Sequence, residues 1–373
     1  MNRSFRDYVD VTLDVVLQVS WNNLFPLLLL SFMRISLSFF FLLLFPFTEK
    51  PFLSLQRWKC RSVPKMKAIG DVSDLAGVNV VVTGCTSGIG KAAAIEFARR
   101  GCNLFLACRS QKRGETLKQE LEEKYRKSRQ DESSKIEVMH LDLTDLNTVV
   151  EFAKAFESKD IGLDILVNNA GVFAMSAPRH VCSNGYELHL MTNHLAGALL
   201  TLLLVPSLMR ASHNGKGKAK VVMVNSKLHQ MCRGFNFDDP NFGVGYNSKK
   251  AYAQSKLAQM LFTKHLRGKV GDRVELMVLH PGNVMTDVVR TLPWMVQKAY
   301  GIVMPIFLLT PEEGARSTLH AATCKDSEFY FDSNCKPTRP SREAMDSEQA
   351  EKVWEWTVKQ IGSYLSEEVR GYF

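Results

Sequence analysis

The sequence predicts an α/β fold with a doubly wound parallel sheet, on three observations. Apolar, β-rich runs alternate with helical patterns from Asn79 onward. The runs are continuously apolar, without a polar face, and a glycine-rich turn separates the first run from the first helical pattern. A strand covered on both faces needs no polar side, and joining such strands through helices makes them parallel. In order, the runs are NVVVTG from Asn79, NLFLACR at Asn103 to Arg109, IEVMHLD at Ile136 to Asp142, LDILVNNAG at Leu163 to Gly171, KVVMVNS at Lys220 to Ser226 and VELMVLHPG at Val274 to Gly282. Helical patterns such as KAAAIEFARRG and TVVEFAKAFES lie between them, and polar gaps at Ser128 to Lys135 and Ser212 to Lys220 read as surface loops. A single domain spanning 71–373 accounts for the pattern.

Ahead of that domain, an N-terminal tail over 1–23 leads into LFPLLLLSFMRISLSFFFLLLFPF, Leu24 to Phe47. At helical rise this stretch matches a bilayer core of about 30 Å. Arg34, near its centre, costs roughly 2.5–3.5 kcal/mol, which the surrounding leucines and phenylalanines offset at about 0.3–0.6 kcal/mol each. Arg57, Lys59, Arg61 and Lys65 follow within a basic linker over 48–70. Positive charge on that side places the domain in the cytosol, so the first expectation is a transmembrane anchor, in the endoplasmic reticulum membrane, with the catalytic domain facing the cytosol. Two alternatives stay open: an organelle-targeting peptide, and an extension absent from a soluble working protein that starts at Met66. The apolar stretch Pro293 to Leu309 reads equally as a mobile segment over substrate or membrane and as an ordinary core helix.

The formal charge is +9 over 373 residues, yet the basic residues form no stripe interleaved with aromatics, so no nucleic-acid partner is expected. In KRGETLKQELEEKYRKSR, Lys112 to Arg129, acids alternate with bases as on a solvated helix face. The eight cysteines show neither Cys-x-x-Cys pairs nor metal-ligand spacing, and read as reduced thiols with no metal site.

Chemistry enters at VVVTGCTSGIGKAAA. Gly84, Gly88 and Gly90, with Ser87 and Ile89 beside them, occupy a strand-to-helix turn, where glycines let backbone N–H groups approach a pyrophosphate that the helix N-terminus also favours. The spacing Gly-x-x-x-Gly-x-Gly at the first such turn reads as a dinucleotide site of Rossmann type. The second strand ends CRSQKR, with Arg109, Lys112 and Arg113 and no carboxylate, which favours NADP(H) over NAD(H) because a guanidinium pairs with a 2'-phosphate. Asp142, closing the third run, either accepts a bond from the adenine amino group or caps the next helix.

TGCTSGIG, Asp142–Leu143, NNAG at Asn168 to Gly171, Ser226, YAQSK at Tyr252 to Lys256 and Pro281–Gly282 occur together in this order, and as a set they resemble the short-chain dehydrogenase/reductase family. LACRS, NHLAG from Asn193, HPGNVMTD from His280 and YFDSNCKP from Tyr330 are similar to its retinol-dehydrogenase-like branch. That resemblance implies an oxidoreductase interconverting an alcohol and a carbonyl. Tyr252 would be general acid or base; Lys256 and the oxidised nicotinamide would together lower its pKa, and Lys256 would also hold the nicotinamide ribose. Ser226 would polarise the carbonyl, and Asn193 would position a water in the proton relay. Asn169, Pro281 and Gly282 would line the cofactor. The resemblance also implies a lipophilic substrate such as a retinoid, steroid or polyprenoid, and allows a homodimer. A dinucleotide-binding scaffold with little turnover is the competing reading. Asn225, where many relatives carry serine, Lys227, and Ala196 in NHLAG depart from the pattern.

The segment YNSKKAYAQSK contains two Tyr-x-x-x-Lys pairs, Tyr246 with Lys250 and Tyr252 with Lys256. Asn247 and Ser248 are good helix caps, so Tyr246 is expected outside the helix and Tyr252 inside it. His229 and His280 read as hydrogen-bonded structural residues, Cys85 as a small filler of the turn, and Trp354 and Trp356 as the packed side of a C-terminal helix.

Overall fold

The structure, a computed structural model, describes residues 75–126, 134–175, 177–213, 217–284, 308–325 and 327–373. The expected anchor at 24–47, the basic linker and Met66 lie outside the described residues, as does 285–307, which holds most of the Pro293 to Leu309 stretch. The chain alternates β1 (Asn79–Thr83), α1 (Gly88–Arg99), β2 (Asn103–Cys108), α2 (Gln111–Leu121), β3 (Ile136–His140), α3 (Leu146–Glu157) and β4 (Ile165–Asn168). It continues through α4 (Ala196–Leu203), α5 (Val205–His213), β5 (Ala219–Val224), α6 (Ser248–Val270), β6 (Val274–Leu279), α7 (Pro311–Thr323), β7 (Tyr330–Phe331), α8 (Ser347–Ile361) and α9 (Glu367–Arg370).

The seven strands form one parallel sheet in the order β3-β2-β1-β4-β5-β6-β7. All six expected strands form; β7 is an addition. Successive side chains of a strand face opposite sides, and the core divides accordingly. Val81, Phe105, Leu166, Val221 and Leu276 join α3, α4, α6 and α8 on one side. Val80, Val82, Leu104, Leu106, Val167 and Met277 join α1 and α7 on the other. Both faces of β1, β2, β4, β5 and β6 are covered, which is why those runs are almost continuously apolar, whereas the edge strand β3 is partly open and His140 on it is exposed. Trp354 of α8 stacks on Phe262 and His265 of α6, and Trp356 packs on His194 and Phe235, so the tryptophan pair holds the C-terminal helix to the domain.

No single helix among the described residues is long and apolar enough to cross a membrane; a pair bent by 50°, Leu188–Leu203 with Val205–Ser212, meets the test by length and composition, and most of its side chains are buried in the core. The order of the strands reverses between β1 and β4, so a crevice opens beyond their carboxyl ends, the place where doubly wound sheets bind ligands.

Candidate active site

The glycine turn lies at that crevice. Gly84 and Gly88 have φ of +65° and +53°, a left-handed conformation that other residues adopt only with strain. A β-carbon on Gly90 would stand 2.3 Å from both the Gly84 oxygen and the Asn169 amide nitrogen. Asn169 Nδ2 donates to the Thr83 oxygen (2.9 Å), and the Thr83 hydroxyl accepts from the N–H groups of Asn169 and Ala170 at 3.0 and 2.9 Å, so the ends of β1 and β4 are tied together. Ser87 caps α1 in an extended conformation without a side-chain bond to the helix, and the first turn holds no acid. A close-packed glycine cradle at a helix N-terminus without negative charge suits a pyrophosphate. Ile89 packs into the core below the turn, and Pro281 and Gly282 (φ +87°) follow β6.

Arg109 is exposed at the end of β2. Arg113, one helical turn on, donates from Nη2 to the Thr86 oxygen of the glycine turn (3.0 Å). Arg113 thereby joins the site beside Arg109, and its spacing of four from that residue in CRSQKR is the signal for it in the sequence. Asp142 does not cap the next helix, which is the second reading given above: Asp145 caps α3 by accepting from Asn147 N, while Asp142 Oδ1 accepts from the backbone and hydroxyl of Thr144. An aspartate two residues before a turn N–H closes that turn locally, and the true cap lies three residues further along.

The second half of the site is built on α6. Asn247 caps it by accepting from Lys250 N (3.0 Å), which leaves Tyr246 outside, its hydroxyl donating to Glu187 Oε1 (3.1 Å). Tyr252 lies in the first turns of the helix and stacks on Phe173, centroids 4.4 Å apart. Burial pushes its phenol up to about 12, and the Ser226 hydroxyl hydrogen-bonded to it pulls the other way. Lys256 Nζ lies 6.0 Å from the Tyr252 ring centre and donates to the Val224 oxygen at 2.9 Å. Burial, with no counter-charge, brings Lys256 down to about 8.

Ser226 follows β5 and caps a 3-10 turn, Lys227–Met231, by accepting from Leu228 N. Asn225 beside it donates to the Lys256 oxygen (2.8 Å) and to Gln259 Oε1 (2.9 Å), and accepts from Ser226 N (2.7 Å). The departure at Asn225 thus joins the serine-bearing strand end to the tyrosine-bearing helix. Asn193 sits in a π-helical turn, Met191–Leu195, that precedes α4. Such turns are frequent at functional sites. Its Oδ1 accepts from Val172 N (2.8 Å), and its Nδ2 donates to the Val172 oxygen and to Ser255 Oγ, both at 3.0 Å. The side-chain amide is thus engaged at both ends by protein, and braces the segment after NNAG against α6. Gly171 packs closely there: a β-carbon would stand 3.0 Å from Asn193 Oδ1 and 3.5 Å from Lys256 Nζ.

His229 accepts from Ser341 N through Nε2 and lies 2.8 Å from the Ser226 oxygen through Nδ1, and burial takes His280 down to about 4. Both fit a structural part. Among the described residues no group of three or more His, Cys, Asp and Glu side chains is arranged to hold a metal, and their seven cysteines are free thiols.

The short chain dehydrogenase family model matches residues 78–296. The dehydrogenase/reductase SDR family member FEY of Arabidopsis thaliana is 36% identical over 302 residues, covering 76% of this chain and 78% of that protein. Retinol dehydrogenase 14 of Homo sapiens is 32% identical over 324 residues, 83% of this chain and 94% of that protein. A solved structure of an uncharacterized protein from Mycobacterium paratuberculosis superposes with a TM-score of 0.59 at 29% identity, covering 78% of this chain and 97% of that one. This chain belongs to the short-chain dehydrogenase family and is an oxidoreductase of its retinol-dehydrogenase-like branch.

Proposed function

We propose that this short-chain dehydrogenase is an NADP(H)-dependent enzyme that interconverts an alcohol and a carbonyl on a lipophilic substrate: a retinoid, a steroid or a polyprenoid. The observation that carries the reading is the convergence of Ser226, Tyr252 and Lys256 on the crevice beyond the glycine turn, with Asn225 joining their two elements. Gly84, Ser87, Gly88, Ile89 and Gly90 would hold the pyrophosphate, and Asn169, Asp142, Pro281 and Gly282 would line the rest of the dinucleotide. Arg109 and Arg113 would face the 2'-phosphate.

When bound, the nicotinamide supplies or accepts the hydride. In the reducing direction Tyr252 donates its phenolic proton to the carbonyl oxygen as that oxygen gains negative charge, and Ser226 hydrogen-bonds the same oxygen. A phenol held near 12 stays protonated at neutral pH, which suits an acid. In the oxidising direction the phenolate must be present, and positive charge from Lys256 is what stabilises it. Asn193 and Asn225 keep these groups in register without touching the substrate.

The lipophilic substrate class draws support from the retinol dehydrogenase relatives and from the apolar segment Leu24 to Phe47. We assign 24–47 as the anchor, 48–70 as the linker and 71–373 as the catalytic domain, at the endoplasmic reticulum membrane on its cytosolic side. Purified protein with NADPH and a panel of retinal, steroid ketones and polyprenal tests the reading: substrate-dependent loss of NADPH absorbance is expected. Tight NADPH binding without turnover across the panel would favour a scaffold, and equal use of NADH would overturn the cofactor assignment.

A further inference from the structure

Glu187 and His189 form a buried pair that the reaction above does not use, and both are within 1% of complete burial. Glu187 Oε1 accepts from His189 Nδ1 (2.7 Å) and from the Tyr246 hydroxyl, while Oε2 accepts from the N–H groups of His189 and Leu190 at 2.8 and 3.0 Å. Among the described residues no lysine or arginine ion-pairs with this carboxylate, so four hydrogen bonds take the place of a cation. His189 Nε2 accepts from Ala174 N at 3.0 Å. An imidazole nitrogen that accepts from a backbone N–H carries no proton, so the ring proton is on Nδ1 and goes to Glu187.

The consequence lies at Ala174. The segment 172–174 is clamped at both ends, Val172 by the two ends of the Asn193 amide and Ala174 by His189, and Phe173 between the clamps stacks on Tyr252. His189 also packs edge-on against the rings of Tyr252 and Phe173, at 6.0 and 6.4 Å. We propose that His189 is a positioning residue for Tyr252: Glu187 fixes its tautomer, and it in turn fixes Ala174, so that Phe173 is held on the catalytic phenol. Tyr246 belongs to the same device, as one of the donors that hold Glu187 in place. The inference rests on the assignment of Tyr252 as acid and base.

The test measures retinal reduction and NADPH affinity for His189→Leu, His189→Gln, Phe173→Leu and Tyr252→Phe. Leucine fills the space without an acceptor for Ala174, whereas glutamine offers one acceptor and one donor. His189→Leu should lower kcat about tenfold or more, since small misplacements of a reacting group cost that much, with NADPH affinity changed by less than about twofold. His189→Gln should recover kcat to within about threefold, and Phe173→Leu should reproduce the leucine defect. Wild-type kcat in His189→Leu, failure of glutamine to rescue in a variant that binds NADPH normally, or wild-type kcat in Phe173→Leu would each overturn the proposal. If His189→Leu does not fold, the contrast between His189→Gln and Phe173→Leu decides alone. Turnover in Tyr252→Phe would instead sink the assignment of Tyr252, whereas an inert Tyr252→Phe beside a normal His189→Leu would sink only the positioning role.

Discussion

Gly90→Ala isolates the cofactor cradle. The added methyl would meet the Gly84 oxygen and the Asn169 amide nitrogen at 2.3 Å and the Gly84 carbonyl carbon at 2.9 Å. Ordinary carbon-to-oxygen contacts lie at about 3.3 Å or more, so the turn must open by roughly 1 Å. Forcing a methyl into packed surroundings costs about 1–3 kcal/mol, and losing the Asn169 bond to Thr83 about 1 kcal/mol more. The free protein relieves this by opening the turn, whereas the pyrophosphate needs it closed, so the cost falls on the bound state. At about 1.4 kcal/mol per tenfold, a total of about 2–4 kcal/mol weakens NADPH binding roughly 30-fold or more. Fluorescence titration with NADPH reads this directly. Gly268→Ala in α6 is the control: its β-carbon would meet nothing within 4 Å, and it should leave affinity unchanged and stabilise the fold by up to about 1 kcal/mol. Gly90→Ala binding NADPH within about threefold of wild type would refute the closed-turn argument.

Arg109→Ala and Arg113→Ala should each raise KM for NADPH about tenfold while leaving KM for NADH nearly unchanged, because each removes a charge-assisted bond to the 2'-phosphate; parallel losses for both cofactors would contradict this. Lys256, near 8, acts as a cation that is present below that pH and lost above it, so kcat/KM for carbonyl reduction should be level at lower pH and decline as pH rises through about 8. Tyr252, near 12, stays protonated across that range and is not the source of the decline. Lys256→Arg should shift the decline upward if the variant retains turnover, because the guanidinium stays charged; a profile level to about pH 10 in the unaltered enzyme would remove Lys256 from the account.

The sheet was legible because strands buried on both faces leave continuous apolar runs, as in NVVVT and AKVVMV, and because Gly84 and Gly88 hold a left-handed backbone and Gly90 has no room for a β-carbon. Which of the two tyrosines lies inside α6 was legible from Asn247, whose cap fixes where the helix begins. β7 was not, because two residues, Tyr330 and Phe331, are too few to display a period. Arg113 and the Asp142–Asp145 choice depend on side-chain direction within one turn, which spacing leaves open. The Glu187–His189 pair is hidden for a different reason: it joins Ala174 to Tyr246, which lies 59 residues beyond Glu187, and nothing local in GYELHL signals that both side chains are buried. Tyr252 and Lys256 lie one turn apart on α6, as their spacing implies, whereas the bond from the Lys256 ammonium to the Val224 oxygen joins α6 to a strand end that spacing does not reveal.

The central claim is that of the two tyrosines of YNSKKAYAQSK, Tyr252 moves the proton and Tyr246 acts only at a distance, as one of the donors to Glu187. Single-turnover reduction of retinal by enzyme preloaded with NADPH, compared for Tyr252→Phe and Tyr246→Phe, tests it most directly. Loss of a general acid costs about 10²–10⁴-fold, so Tyr252→Phe should lose at least the lower of these while still binding NADPH. Tyr246→Phe removes one of the hydrogen bonds to Glu187 and should retain most of the rate. Comparable rates in the two variants, or a larger loss in Tyr246→Phe, would contradict the account.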